Sequence, residues 1–163
     1  AFLERLYAPT LQRAGAQRWC DDTPDNWLYL DFLHELYPAM RFIHMIRDPR
    51  DVVGSYMKQT WTPSDPKAIV AGLKAQISAY EVVKAHVPAE CVMEIRIEDL
   101  AADKEAVLDR LSEFLGVENR FESSIFSVEK VGTGSYADRL GSTVMGLITS
   151  ELGDWMAMLQ YLP

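Results

Sequence analysis

Arg47 stands at the end of a short apolar run, Arg41-Phe42-Ile43-His44-Met45-Ile46, and Ser55 follows it eight residues later. An arginine grips a phosphate with two charge-assisted hydrogen bonds, and a serine can add a hydroxyl. Between them, Asp48-Pro49 has the chemistry of a helix start: aspartate as N-cap, proline in the first helical position. Orphan amides and the positive end of the helix dipole would then face the same ligand. Two plainer readings stay open at this level. Arg47 could pair with Asp48 or Asp51, and Ser55 could be a small residue that suits helix packing.

The elements needed to position these residues can be read from periodicity. The run Arg41 to Ile46 reads as a strand buried on both faces of a parallel sheet. A helix should follow from Asp48-Pro49 to about Gln59. Asp65-Pro66 opens a longer one, with Ile69, Leu73, Ile77, Tyr80 and Val83 on its buried stripe, up to Pro88. Cys91 to Ile97 reads as a second strand. Asp103 caps a helix that ends at Gly116, and a last helix covers Thr143 to Leu159. Upstream, Phe2 to Ala14 has a helical stripe that Pro9 should bend or split, and Trp27, Leu30, Leu33 and Tyr37 define a second helix stopped by Pro38. His44 alternates with Phe42 and Ile46, which suits a hydrogen-bonded core histidine.

Helices alternating with buried strands give the fold class: α/β, a parallel sheet flanked by helices. The 163 residues make one domain, 1–163. Two strands are few for such a sheet, and the chain starts without methionine, so the missing strands are expected upstream of Ala1. Sixteen Lys plus Arg against 24 Asp plus Glu give a net charge of −8, which opposes bulk binding to nucleic acid or an anionic membrane. No apolar run is long enough to span a bilayer. Cys20 and Cys91 lack CxxC spacing, and no His, Asp and Glu cluster has metal-ligand spacing, so no metal is expected and a reducing cytoplasm is the expected compartment.

The run Phe42-Ile43-His44-Met45-Ile46-Arg47-Asp48-Pro49-Arg50-Asp51-Val52-Val53-Gly54-Ser55 resembles the signature of sulfotransferases that use 3′-phosphoadenosine 5′-phosphosulfate as donor. The resemblance implies that Arg47 and Ser55 hold the 3′-phosphate. Trp19 to Asn26 is similar to the upstream Thr-Pro motif of bacterial and tyrosylprotein-type members, some of which carry a catalytic lysine where this chain has Asp22. Asp22 is therefore the candidate catalytic residue, with a turn-forming role as the alternative. Ile97-Glu98-Asp99-Leu100 resembles the family's Tyr-Glu-Asp-Leu element, with isoleucine in place of the tyrosine. Val131 to Tyr136 resembles the loop that closes over the nucleotide, which makes Lys130, Gly132 and Ser135 candidate donor-binding residues. The family's glycine-rich turn that wraps the 5′-phosphosulfate has no counterpart here, so this chain is expected to be the C-terminal portion of a P-loop NTPase-like sulfotransferase fold and inactive alone. The implied partners are the nucleotide donor and a small-molecule, glycan or peptide acceptor bearing a hydroxyl or amine. A nucleotide kinase of P-loop type would need a Walker lysine and Mg²⁺ ligands, neither visible in the sequence; a non-catalytic helical interaction module would leave Arg47 structural.

Overall fold

A computed structural model describes residues 2–121 and 133–162. Two strands, β1 (Phe42–Ile46) and β2 (Val92–Arg96), pair in parallel with Phe42 opposite Val92 and Ile46 opposite Arg96. Both strands therefore end at the same level, and Arg47 and Ile97 leave the sheet side by side. The crossover between them runs through α3 (Pro49–Tyr56) and α4 (Pro66–Lys84).

Helices lie on both faces of this pair, and the alternation of each strand shows why. Phe42 and Val92 point into a cluster with Leu30, Tyr80 and Val83, on the side of α4 and of α2 (Leu30–Leu36). Ile43, Met93 and Ile95 point the opposite way, against Leu100 of α5 (Ile97–Ala102) and against Val107 and Phe114 of α6 (Lys104–Leu115). A larger core gathers Ile46, Val53, Ile69, Val70, Ile148, Leu152 and Met156, where α7 (Ser142–Met158) packs against α3 and α4. The expected α/β class with a parallel sheet between helices is observed, with two strands among the described residues.

Several boundaries depart from the sequence expectation, each for a local reason. Pro9 does not split α1 (Phe2–Ala14), which continues through it and ends at Gly15, with φ of 61°. The segment expected as one helix from Trp27 begins instead as a 3-10 turn, Asn26–Tyr29, before α2. The helix α4 stops at Lys84, short of Pro88, because the residues before a proline avoid helical geometry; His86 and Val87 close into tighter turns on Val83 and Lys84. The helix α5 was not anticipated. It starts directly from β2, with Glu98 and Asp99 in its first turn where carboxylates favour a helix N-terminus.

The chain beyond α7 reverses sharply. Tyr161 N–H donates to the Met156 carbonyl (2.8 Å) and Gln160 N–H to that of Ala157 (3.0 Å), a Schellman closure. Gln160 occupies the left-handed position of this closure, with φ of 60°, where glycine is the usual residue. That bend carries the buried Tyr161 back to the C-terminal end of the sheet.

Candidate functional site

Three carboxylates organise the end of the sheet where Arg47 emerges. Asp48, buried, caps α3 by accepting from the backbone N–H of Arg50 (2.9 Å) and holds the Arg50 guanidinium through both oxygens. This hydrogen bond raises the Arg50 pKa, against a smaller opposing cost of burial. Glu98, from the first turn of α5, accepts the backbone N–H of Asp48 at 2.9 Å and the Tyr161 hydroxyl at 2.8 Å. Burial, reinforced by Glu98, raises the pKa of that phenol, so it remains a donor throughout the neutral range. Arg50 also donates to the Tyr161 carbonyl (2.9 Å), and the Arg96 guanidinium lies 4.5 Å from the centre of the Tyr161 ring.

Asp51, fully buried, is the third. It accepts three hydrogen bonds from the segment that follows residue 132: Gly134 N–H at 2.7 Å, Ser135 Oγ at 2.9 Å and Tyr136 N–H at 2.9 Å. Gly134, with φ of 73°, makes the turn that aims these donors at one carboxylate. The Arg50 guanidinium lies 4.1 Å from the centre of the Tyr136 ring and completes the attachment of this segment to α3.

Arg47 lines a cavity of about 200 Å³ together with His44, Trp27, Tyr56, Gln76 and Trp155. An arginine among aromatic walls is a setting for a planar anionic ligand. His44 lies against Tyr80, ring centres 3.8 Å apart, and its Nδ1 is buried with no hydrogen-bond partner among the described residues. The Tyr80 hydroxyl donates to Glu94 (3.0 Å), which also takes Lys84 Nζ (2.8 Å). A larger cavity of about 440 Å³, lined by Glu81, Lys84, Val87, Val92 and Glu94, contains none of the candidate residues, and its lysine is bound by both glutamates.

Burial lowers the His44 pKa; the nearby Glu94 opposes the shift and Lys84 assists it. Above about pH 6.5, the ordinary histidine value, the ring is neutral in both the folded and the unfolded chain. As the pH falls from there towards the lower folded value, the unfolded chain takes up a proton that the folded one refuses, and stability is lost. Unfolding midpoints in urea at pH 7.5 and 5.5 are thus expected to differ more in the native chain than in His44→Gln. Equal losses in both would assign the acid sensitivity to other groups.

The candidate residues are not all brought together. Arg47 lies in the cavity lining, whereas Ser55, half-buried on α3, does not. Asp22 is exposed in the segment before the Asn26–Tyr29 turn, and only that turn's Trp27 reaches the cavity. Its neighbour Asp21 is the turn former, accepting from Thr23 N–H at 2.9 Å; this bonding to Thr23 lowers the Asp21 pKa. Ser135 points to Asp51, and Lys130 and Gly132 lie outside the described residues. The expectation of orphan amides at the start of α3 needs correction: the amides of Asp48 and Arg50 are taken by the carboxylates of Glu98 and Asp48. The Asp48 carboxylate accepts from Arg50, and the Asp51 carboxylate accepts from residues 134–136. Sequence reading missed Asp51, Glu98 and Tyr161 as organisers of this end of the sheet. Glu98 had a signal in the Glu-Asp-Leu motif, and Tyr161 had none.

A family model described as the sulfotransferase family matches residues 2–122. The chain belongs to the sulfotransferase family. The matched interval contains Asp22, Arg47, Ser55 and Glu98, and leaves out the segment on Asp51 and the returning Tyr161. Nodulation protein NoeE of Sinorhizobium fredii (strain NBRC 101917 / NGR234) is 38% identical over 60 residues, a match that spans 37% of this sulfotransferase chain and 14% of NoeE. Among the described residues, no helix is long and apolar enough to cross a membrane and no three His, Cys, Asp or Glu are grouped as metal ligands.

Proposed function

We propose that this chain holds the 3′-phosphate end of 3′-phosphoadenosine 5′-phosphosulfate in a sulfotransferase that passes the sulfuryl group to an acceptor hydroxyl or amine. The observation that carries the reading is the position of Arg47: at the C-terminal end of a parallel strand, where α/β sheets bind ligands, and on the wall of an aromatic cavity. Membership in the family supports the reaction class. The cavity, about 200 Å³, is smaller than the roughly 300 to 1,000 Å³ of complete small-ligand pockets, which favours one end of the nucleotide over the whole of it. The parallel pair is then part of a larger P-loop NTPase-like sheet, and the 5′-phosphosulfate is gripped by groups outside this cavity. Domain 1–163 alone would bind the nucleotide without turning it over.

In the transfer, the bond from sulfur to the bridging 5′-phosphate oxygen breaks while a bond from sulfur to the acceptor oxygen or nitrogen forms. The acceptor's proton passes to a general base, for which Asp22 is the candidate, and 3′-phosphoadenosine 5′-phosphate leaves. The contribution of Arg47 and Ser55 is to fix the nucleotide so that its sulfur is presented to the acceptor. Ser55 would need to turn towards the cavity on binding. Lys130, Gly132 and Ser135 belong to the proposed donor site by resemblance alone. A soluble cytoplasmic enzyme acting on a small molecule, glycan or peptide completes the proposal.

Calorimetry of the chain with 3′-phosphoadenosine 5′-phosphate and with adenosine 5′-monophosphate tests it. The first ligand is expected to bind at least tenfold more tightly, the effect of one charge-assisted phosphate contact. Equal binding of the two would remove the 3′-phosphate from Arg47.

A further inference from the structure

Arg47 is joined to Asp48 by a peptide whose N–H is the one Glu98 accepts. Whatever fixes Glu98 therefore fixes the direction in which Arg47 departs from β1. The second oxygen of Glu98 is held by the Tyr161 hydroxyl at 2.8 Å, and the Tyr161 backbone is held in turn by Arg50, the bidentate partner of Asp48. The ring is enclosed as well, with Arg96 over its face and Trp155 6.4 Å from its centre. A residue 63 positions from Glu98 and 111 from Arg50 is thus brought to the turn that launches Arg47. Its arrival depends on Gln160 adopting the left-handed conformation, an unfavourable state for a residue with a side chain, maintained here by the Schellman bonds.

We propose that Tyr161 is a positioning residue for the phosphate-binding arginine: acting through Glu98, its hydroxyl holds the Arg47–Asp48 peptide in the orientation that points Arg47 into the cavity. This inference rests on the reading of Arg47 as a phosphate ligand. The hydroxyl has no part in the reaction itself. It removes a rotational freedom that the arginine would otherwise lose on binding the nucleotide, and preorganisation of this kind appears as affinity.

The test is a double-mutant cycle on the full chain, with affinity for 3′-phosphoadenosine 5′-phosphate measured for the native protein, Tyr161→Phe, Arg47→Ala and the double variant. Phenylalanine keeps the buried ring and removes only the hydroxyl. Tyr161→Phe is expected to weaken binding about 3- to 10-fold, the scale of one lost hydrogen bond, and to speed hydrogen exchange at the Asp48 amide. In the Arg47→Ala background the same change is expected to leave affinity unaltered, whereas a merely structural role would weaken both backgrounds alike. Glu98→Gln, which removes the charge that the Asp48 amide and the phenol share, is expected to follow Tyr161→Phe. Native affinity in Tyr161→Phe, alongside lost affinity in Arg47→Ala, would overturn the positioning role and leave the phosphate reading standing. Native affinity in Arg47→Ala would overturn the phosphate reading, and the positioning role with it.

Discussion

Asp51→Ala is expected to remove about 3 to 5 kcal/mol of folding stability, the largest loss from any single polar substitution among the described residues. The side chain is fully buried and accepts three hydrogen bonds, two from backbone amides and one from a hydroxyl. Alanine leaves those three donors without their acceptor. Hydrogen bonds to a charged acceptor contribute roughly 1.5 to 3 kcal/mol each, and they are not additive, which sets the range. A domain whose whole stability is about 5 to 15 kcal/mol would then be largely unfolded in mild denaturant. Asp51→Asn retains one acceptor oxygen and is expected to lose less. Urea unfolding of the three proteins measures this, and a loss below about 1 kcal/mol in Asp51→Ala would mean that water satisfies the Gly134 and Tyr136 amides equally well. Hydrogen exchange at those two amides locates the effect: they should lose protection before the core of α7 does.

Arg47→Ala is expected to reduce affinity for 3′-phosphoadenosine 5′-phosphate roughly 10- to 140-fold, the equivalent of 1.5 to 3 kcal/mol for charge-assisted contacts to a phosphate. Affinity for adenosine 5′-monophosphate should scarcely change, because the 3′-phosphate proposed as the ligand of Arg47 is missing from it. Asp22→Ala is expected to behave in the opposite way, with donor affinity retained and turnover of the complete enzyme reduced about 10²- to 10⁴-fold, as for a lost general base. Binding and single-turnover measurements on both variants separate these outcomes. Unchanged donor affinity in Arg47→Ala would end the phosphate assignment. Unchanged turnover in Asp22→Ala would leave that residue as part of an exposed turn, which is where it lies.

What could be read from the residues was local. The strand ending at Ile46, the Asp48-Pro49 helix start and the left-handed Gly116 that closes α6 each depend on neighbours a few positions away, and each is observed. The length of α3 was overestimated because the propensity of Met57 to Gln59 does not forbid a helix; the turns from Lys58 and Gln59 back to Ser55 and Tyr56 end it. The short helix α5 was hidden inside a motif that reads as a signature and not as a secondary structure. Asp51 was invisible for a different reason. An aspartate in the first turn of a helix is adequately explained by the helix dipole, and only the fold shows that its partners lie 83 to 85 residues downstream. Charge does not distinguish Asp48, Asp51 and Glu98 from the other acidic residues of the chain; the burial of Asp48 and Asp51 and the partners of all three do.

The return of Tyr161 to the sheet also sets an order of events during synthesis. Contacts across 111 residues close a long loop and raise the contact order of the domain, which slows folding. A ribosome adding about 5 to 20 residues per second needs roughly 6 to 22 seconds to proceed from Arg50 to Tyr161. By the time Glu98 follows β1, α3 and α4 in the growing chain, it still lacks its phenol and Arg50 its carbonyl. The turn that launches Arg47 consequently stays unsupported until Tyr161 has been made, and a ligand that selects the rigid form discriminates chains that contain Tyr161 from shorter ones.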